Sequence, residues 1–251
     1  MSDSTKLVEV SSLLPARDFC LLRLLNPLYG SGSQGAKKNE TCPSSRNDHP
    51  FDGEIDAHYG EQKTMLDSFE LPSVLPVPGD DGACSHLTGL QIPDISLAST
   101  TGESVNLARI GGRTILFCYP RTGEPGQPVP KAWDEIPGAR GCTPQCCGFR
   151  DSYSELKSAG ANHVFGLSTQ DTDYQREAAN RLNLPYPLLS DRDLKLARAL
   201  TLPTFEFNLM TLIKRLTLII DEGRITHVFY PVFPPDQSAS QTLKWLKANP
   251  S

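Results

Sequence analysis

Apolar positions fall into two regimes along this chain of 251 residues. From Met1 to about residue 68 no periodicity is sustained. Leu21–Leu25 is a short apolar exception, Gly30-Ser31-Gly32-Ser33-Gln34-Gly35 is small and polar, and Lys37–Pro50 is polar and charged. A segment with so little to bury cannot offset its ordering entropy, so 1–68 is expected to be a low-complexity, disordered extension. Residues 69–89, with prolines from Leu71 to Pro78, read as an extended lead-in. The pattern changes near Leu90, and 90–249 is expected to be one folded domain.

Within that domain, Asp94-Ile95-Ser96-Leu97 alternates as a short strand, Thr101-Gly102-Glu103 is a turn, and Val105, Leu107 and Ile110 form an apolar patch. Thr114–Tyr119 is nearly continuous in apolar residues, as expected of a central strand buried on both faces. Pro120 ends it. The Pro- and Gly-rich stretch Arg121–Gly138 follows, a loop of a length usually tied to function or disorder. A helix is expected over Cys147–Ala159, with Phe149, Tyr153 and Leu156 near helical spacing and Gly160 as a stop. His163–Leu167 is a second buried strand, Asp171–Leu182 a helix, Pro187–Leu189 a very short strand and Asp191–Leu200 a helix. Strands Leu216–Ile220 and Ile225–Tyr230 are joined by the hairpin turn Asp221-Glu222-Gly223, and Ser238–Ala248 is an amphipathic helix. A parallel βαβ half followed by a ββα half gives an α/β domain, a mixed central sheet flanked by helices in the manner of a thioredoxin-like fold.

Composition narrows the function classes. A net charge of −5 with no basic face argues against a nucleic-acid partner. No apolar run approaches the ~20 residues of a membrane span. The N-terminus has no basic segment followed by an apolar core, and Asp3, Glu9 and Asp18 disfavour an acid-poor presequence. Seven unevenly spread cysteines do not make a secreted disulfide framework, so functional thiols in a reducing compartment, the cytoplasm, are expected.

Three of those cysteines, Cys142, Cys146 and Cys147, lie in Arg140–Asp151, where loop should turn into helix. Gly141 supplies a flexible entry, and Thr143-Pro144-Gln145 reads as a first turn, where proline is tolerated. A thiol there faces unpaired N–H groups and the positive end of the helix dipole, both of which favour its anion, the nucleophilic form. Core filling is the plain alternative, but Gly, Thr, Pro, Gln and Arg make a poor core. A zinc site would need Cys84 and His86 to complete it, since no second C-x2-C or His pair accompanies the C-x3-C-C spacing.

The segment Cys142-Thr143-x-Gln145-x-Cys147-x-Phe149-Arg150-Asp151 resembles the active site of peroxiredoxins of the bacterioferritin-comigratory, or Q, type within the AhpC/TSA superfamily. Flanking segments extend the likeness: Ile92–Leu97, Phe117-Cys118-Tyr119-Pro120, Gly166-Leu167-Ser168-Thr169, Pro187–Asp191 and Lys214–Asp221. It covers roughly 85 to 249. The resemblance implies a thiol-dependent peroxidase without metal or other cofactor, acting on hydroperoxides and recycled by a thioredoxin- or glutaredoxin-type reductant, as a monomer or weak dimer. It implies Cys142 as peroxidatic thiol, Cys147 as resolving thiol and Arg215 as the cation that supports the thiolate. One position departs from the family pattern. Ala139 stands where a hydroxyl is usual three residues before the cysteine, and a long insertion containing Trp133 separates Pro120 from Cys142. Thr122 or Thr143 would have to replace that hydroxyl. Without a replacement, the alternative is a thioredoxin-fold redox sensor or interaction protein with little turnover.

The chemistry so implied is attack of the Cys142 thiolate on a hydroperoxide to give a sulfenic acid, then condensation with a second thiol. In an intact helix, residues five apart have Cα atoms roughly 8.6 Å apart, so Cys142–Cys147 requires unwinding, because a disulfide spans at most about 7 Å. Cys146, at roughly 6 Å, is closer. Proximity favours Cys146 and the family pattern Cys147, and both stay open. Arg215 enters the apolar run Leu216–Ile220, which disfavours a merely solvated role. Cys118 reads as core, Cys84 is unassigned, and Cys20 and Cys42 read as incidental to the extension. Arg150 is expected in a structural ion pair near Asp151. His163 and His227 belong to no catalytic arrangement, and Trp133, with Pro128 and Pro130, reads as a flap, a docking patch or the anchor of its loop.

Overall fold

The computed structural model describes residues 7–9, 71–72, 74–125 and 127–250, which belong to a single unit comprising Met1–Val10 and Thr64–Ser251. The disorder expected for 1–68, and Cys20 and Cys42 with it, otherwise lie outside the described residues. Strand β1 (Leu7–Glu9) pairs antiparallel with β2 (Val74–Pro76) in the lead-in.

Seven strands build the central sheet. β3 (Ser96–Ser99) and β4 (Ser104–Asn106) form a hairpin, and β5 (Arg113–Cys118) is buried along its whole length. β6 (His163–Ser168), β7 (Leu188–Ser190), β10 (Leu216–Asp221) and β11 (Arg224–Phe229) complete it in the order β11-β10-β5-β6-β7-β3-β4. The pairs β5–β6 and β6–β7 are parallel, and the remainder antiparallel. β5 and β6 therefore lie mid-sheet, where residues apolar on both faces can be buried. Gly166 of β6 permits close packing, since a Cβ there would come 2.5 Å from Leu188 and 2.8 Å from Phe117. The expected α/β thioredoxin-like architecture is the observed one.

Helices flank this sheet. α1 (Lys131–Asp134) is a single turn inside the insertion, which was expected to be loop throughout. α2 (Cys142–Asp151) and α3 (Tyr153–Ser158) replace the one helix expected from Cys147 to Ala159, with the chain turning at Ser152 (φ −89°, ψ 0°). α4 (Thr172–Arg181) begins at Asp171, whose carboxylate accepts from Tyr174 N at 2.8 Å as an N-cap. α5 (Lys195–Ala199) starts later than the expected Asp191. That carboxylate is used instead to accept from Leu196 N (3.1 Å) and Ala197 N (2.8 Å) of the first turn. α6 (Ser238–Ala248) has the expected boundaries and packs with α2 and α3.

A second hairpin, β8 (Thr204–Phe207) with β9 (Met210–Ile213), was not anticipated. Its turn places Asn208 and Leu209 at φ 47° and 63°, with Leu209 fully exposed. The lead-in also contributes to the core: Cys84 and Leu87 are buried with Leu97, Leu116, Cys118 and Leu218. A separate small cluster joins Trp133 and Ala139 of the insertion to Leu212, Phe205 and Phe207 of the second hairpin.

Candidate active site

Helix α2 begins directly at Cys142. Gly141 is its N-cap residue at φ 100°, a conformation that L side chains rarely adopt, and a Cβ there would lie 2.2 Å from Pro235 Cγ. No side chain caps this end. The first intrahelical bond runs from Gln145 N to Gly141 O (3.0 Å), so the N–H groups of Cys142 and Thr143 lie ahead of the ladder, at the positive end of the dipole. On its inner side the helix is held by Phe149, stacked on Phe117 of β5 at 4.1 Å and 7°.

Arg215, immediately before β10, is delivered to the same point. Its Nη2 donates to Cys142 Sγ (3.3 Å) and to the carbonyls of Ala139 and Arg140 (3.1 Å each), while Nη1 donates to Gln145 Oε1. Gln145 is fixed in turn by donating to Ser238 Oγ (3.3 Å), which meets Thr217 Oγ1 at 3.4 Å. The guanidinium is buried, and every acceptor it meets here is neutral unless the sulfur is an anion. A cation so placed is stabilised by negative charge on Sγ or on an oxygen bonded to it. Arg121 N adds a second donor to Sγ at 3.3 Å, and as a thiol Cys142 can donate to Ala139 O at 3.5 Å.

Cys142 opens onto a pocket of about 260 Å3 between the insertion and the tip of α2. Val129, Pro128, Trp133 and Phe207 supply apolar wall, and Arg121, Arg140 and Thr122 add polar lining. Ala139 brings no hydroxyl and is wholly buried, contributing its carbonyl to Arg215 instead. Thr122 and Thr143 both line the pocket. Thr122 is held at three points: its N–H and hydroxyl donate to Gln170 Oε1 (3.1 and 3.2 Å), and its carbonyl accepts from Tyr174 Oη at 3.0 Å. With its proton directed to Gln170, the hydroxyl of the wholly buried Thr122 has lone pairs left as acceptors.

This geometry coincides with likeness to known proteins. The redoxin family model matches residues 87–244. The chloroplastic peroxiredoxin Q of Gentiana triflora is 33% identical over 184 residues, covering 70% of this chain and 76% of that protein. The chain belongs to the Q-type peroxiredoxins. Among solved structures, the peroxidoxin BcpB of Mycobacterium tuberculosis is 28% identical with a TM-score of 0.53, over 65% of this chain and 98% of that one. A Xanthomonas campestris bacterioferritin comigratory protein, whose structure is described in terms of its alkyl peroxide reduction activity, shares the fold at 23% identity and a TM-score of 0.50, over 63% and 96%. This peroxiredoxin is accordingly an oxidoreductase, a thiol-dependent peroxidase whose partners are a peroxide and a thioredoxin-type reductant.

The other thiols of the peroxiredoxin differ in setting. Cys146 is completely buried, and burial, with Cys142 nearby, pushes its thiol far up. Cys147 is buried in the same helix. Cys84 and Cys118 belong to the main core, where burial raises Cys84 to about 12 and Cys118 further. His86, weighed with Cys84 as a zinc ligand, bonds Leu200 O at 2.9 Å, and no metal-binding group of His, Cys, Asp or Glu occurs among the described residues. Arg150 pairs with Asp151 (2.9 Å) and donates to Leu182 O, an ion pair as expected. His163 stacks on Phe165, and His227 on Trp245 at 4.8 Å. Trp133 is buried against Phe207 (4.9 Å), so it anchors the insertion as well as walling the pocket. Gln145, Arg121 N and Gln170 were not assigned from sequence. Gln145 lies within the Cys142–Asp151 motif, but its partner Arg215 is 70 positions away.

Proposed function

We propose that Cys142 is the peroxidatic thiol of this peroxidase, with Arg215 as its charge partner and Cys147 as its resolving thiol. The observation that carries this reading is the convergence of Arg215 Nη2 and Arg121 N on Cys142 Sγ, beside a pocket that Cys142 lines. The thiolate attacks the terminal oxygen of ROOH. The O–O bond breaks, its electrons leave on RO−, which is protonated to ROH, and the sulfur becomes a sulfenic acid. Arg215 and the first-turn N–H groups hold the negative charge as it moves from sulfur to oxygen. Thr122 Oγ1 takes the place left by Ala139, accepting from the peroxide hydroxyl and aligning it.

Cys147 then attacks the sulfenic sulfur, water leaves, and an external dithiol reduces the disulfide through a mixed disulfide. The family pattern selects Cys147 over the nearer Cys146, which is wholly buried. The apolar wall of the pocket accommodates the organic group of an alkyl hydroperoxide. We place this monomeric or weakly dimeric enzyme in the cytoplasm, where a dithiol reductant is maintained. No helix among the described residues is long and apolar enough to cross a membrane.

Single-turnover oxidation of the reduced protein by cumene hydroperoxide tests the reading. C142S should consume none, and C147S should be oxidised at the wild-type rate but accumulate sulfenic acid, trapped by dimedone. T122V should slow oxidation at least tenfold. Full activity in C142S overturns the proposal.

A further inference from the structure

Helix α2 is held at one more point, away from the pocket. Tyr186 is buried at 3% exposure, and its hydroxyl donates to Cys146 O at 2.6 Å. Its ring stands edge-on to Phe117 (5.6 Å, 89°) and lies 6.1 Å from that of Tyr153, so the hydroxyl is rigidly placed. A carbonyl inside a helix already accepts from the N–H four residues on, and Tyr186 adds a second donor to this one. That carbonyl belongs to the peptide joining Cys146 to Cys147. The phenol remains a donor at any physiological pH, because burial, then the neighbouring thiols, push its titration well up.

The bond that Cys147 must form opposes this restraint. Five residues of helix turn its side chain roughly 140° away from that of Cys142, with Cα atoms roughly 8.6 Å apart. A disulfide needs them within about 7 Å. We propose that Tyr186 is a positioning residue, whose hydroxyl keeps α2 wound through Cys146 and so sets how long the Cys142 sulfenic acid survives before Cys147 resolves it. The inference rests on the proposed pairing of Cys142 with Cys147. Two reactions divide the sulfenic acid. In one, Cys142–SOH and Cys147–SH give the disulfide and water. In the other, Cys142–SO− and a second ROOH give the sulfinate and ROH. By delaying the first, Tyr186 increases the share of the second.

Stopped-flow oxidation of the reduced full-length chain by cumene hydroperoxide separates the steps. A second-order phase reports Cys142 oxidation, and a later first-order phase reports disulfide formation. In Y186F the first constant should be unchanged. The second should rise roughly fivefold, the net worth of one hydrogen bond, and half-conversion to sulfinic acid, read by mass spectrometry, should need correspondingly more peroxide. Y186L, which also removes ring packing, should resolve at least as fast as Y186F. An unchanged or slower second phase in Y186F overturns the proposal, as does a slower first phase, which would mean that the hydroxyl shapes the reduced site. A wild-type chain that forms no Cys142–Cys147 disulfide overturns both this inference and the resolving role given to Cys147, and that result is read without any Tyr186 variant.

Discussion

Arg215 shows how much one side chain can decide. Its charge is taken out of water at the end of an apolar strand and meets carbonyls, an amide and the sulfur of Cys142. On the proposed mechanism, removing it deletes a donor on the reacting sulfur, so R215A should lower the rate constant for peroxide reduction by roughly 10²–10³. R215K keeps a charge but loses the fork that bonds sulfur, amide and carbonyls together, and should recover only part of that loss. A stopped-flow titration with hydroperoxide checks both. Reactivity toward alkylating agents should follow setting too. At pH 8, Cys84, raised to about 12, and the still higher Cys118 and Cys146 stay protonated, so iodoacetamide should label Cys142 in the folded protein and reach those three only after unfolding. Peptide mapping reads the order. Cys142 and Arg215 were singled out in the sequence by their match to the peroxiredoxin pattern, which a thiol in a polar first turn and a guanidinium entering an apolar run made more pointed. Gln145 and Gln170 were not, because their importance lies in partners distant along the chain.

At the scale of elements, the start of α2 depends on Gly141 as much as on the cysteine that follows. A side chain there meets the Pro235 ring at 2.2 Å, in a backbone conformation costing of order 1–3 kcal/mol. G141A should therefore lower stability by about 2 kcal/mol or more in urea unfolding, and slow peroxide reduction by displacing Cys142 from Arg215. Strands of the central sheet were readable because burial on both faces leaves unbroken apolar runs, as in β5 and β6. The β8–β9 hairpin was missed for a physical reason. Thr204-Phe205-Glu206-Phe207 does alternate, but its turn is Asn208-Leu209, without the glycine that marks most left-handed turns. The insertion read as loop because its order comes from contact rather than periodicity. Trp133 binds it to Phe205 and Phe207, which the sequence places more than seventy residues later. W133A should cost about 3 kcal/mol at that site and enlarge the pocket, lowering the rate for bulky hydroperoxides more than for hydrogen peroxide.

Across the whole molecule, β5 and β10 run antiparallel, so one strand pair has a chemical end and a structural end. At the first, Cys118 faces Leu216, next to Arg215; at the second, Arg113 faces Asp221. The two ends are separated by about 17 Å of strand. Arg113 is 7% exposed, donates to both Asp221 oxygens (2.7 and 3.1 Å) and to Asn249 O (2.6 Å), and lies 5.6 Å from the centre of the Trp245 ring. Asp221 also accepts from Thr226 on β11 at 2.9 Å. One ion pair thus ties three strands to the C-terminal end of α6. Truncating a buried partner leaves the other charge without compensation, so R113A should cost about 3 kcal/mol, or roughly 6–12 °C in Tm for a domain of this size. D221N should cost a similar amount, since it leaves the more buried Arg113 without a countercharge and with one accepting oxygen in place of two. Neither residue approaches Cys142, and the strands between are packed along their length, so the rate constant for peroxide reduction at 20 °C should stay within twofold of wild type in both variants. Calorimetry and stopped-flow oxidation on the same preparations read the two quantities separately. A rate that fell in step with Tm would mean that the sheet transmits strain from its structural end to the thiol, and that the placement of Arg215 depends on Arg113.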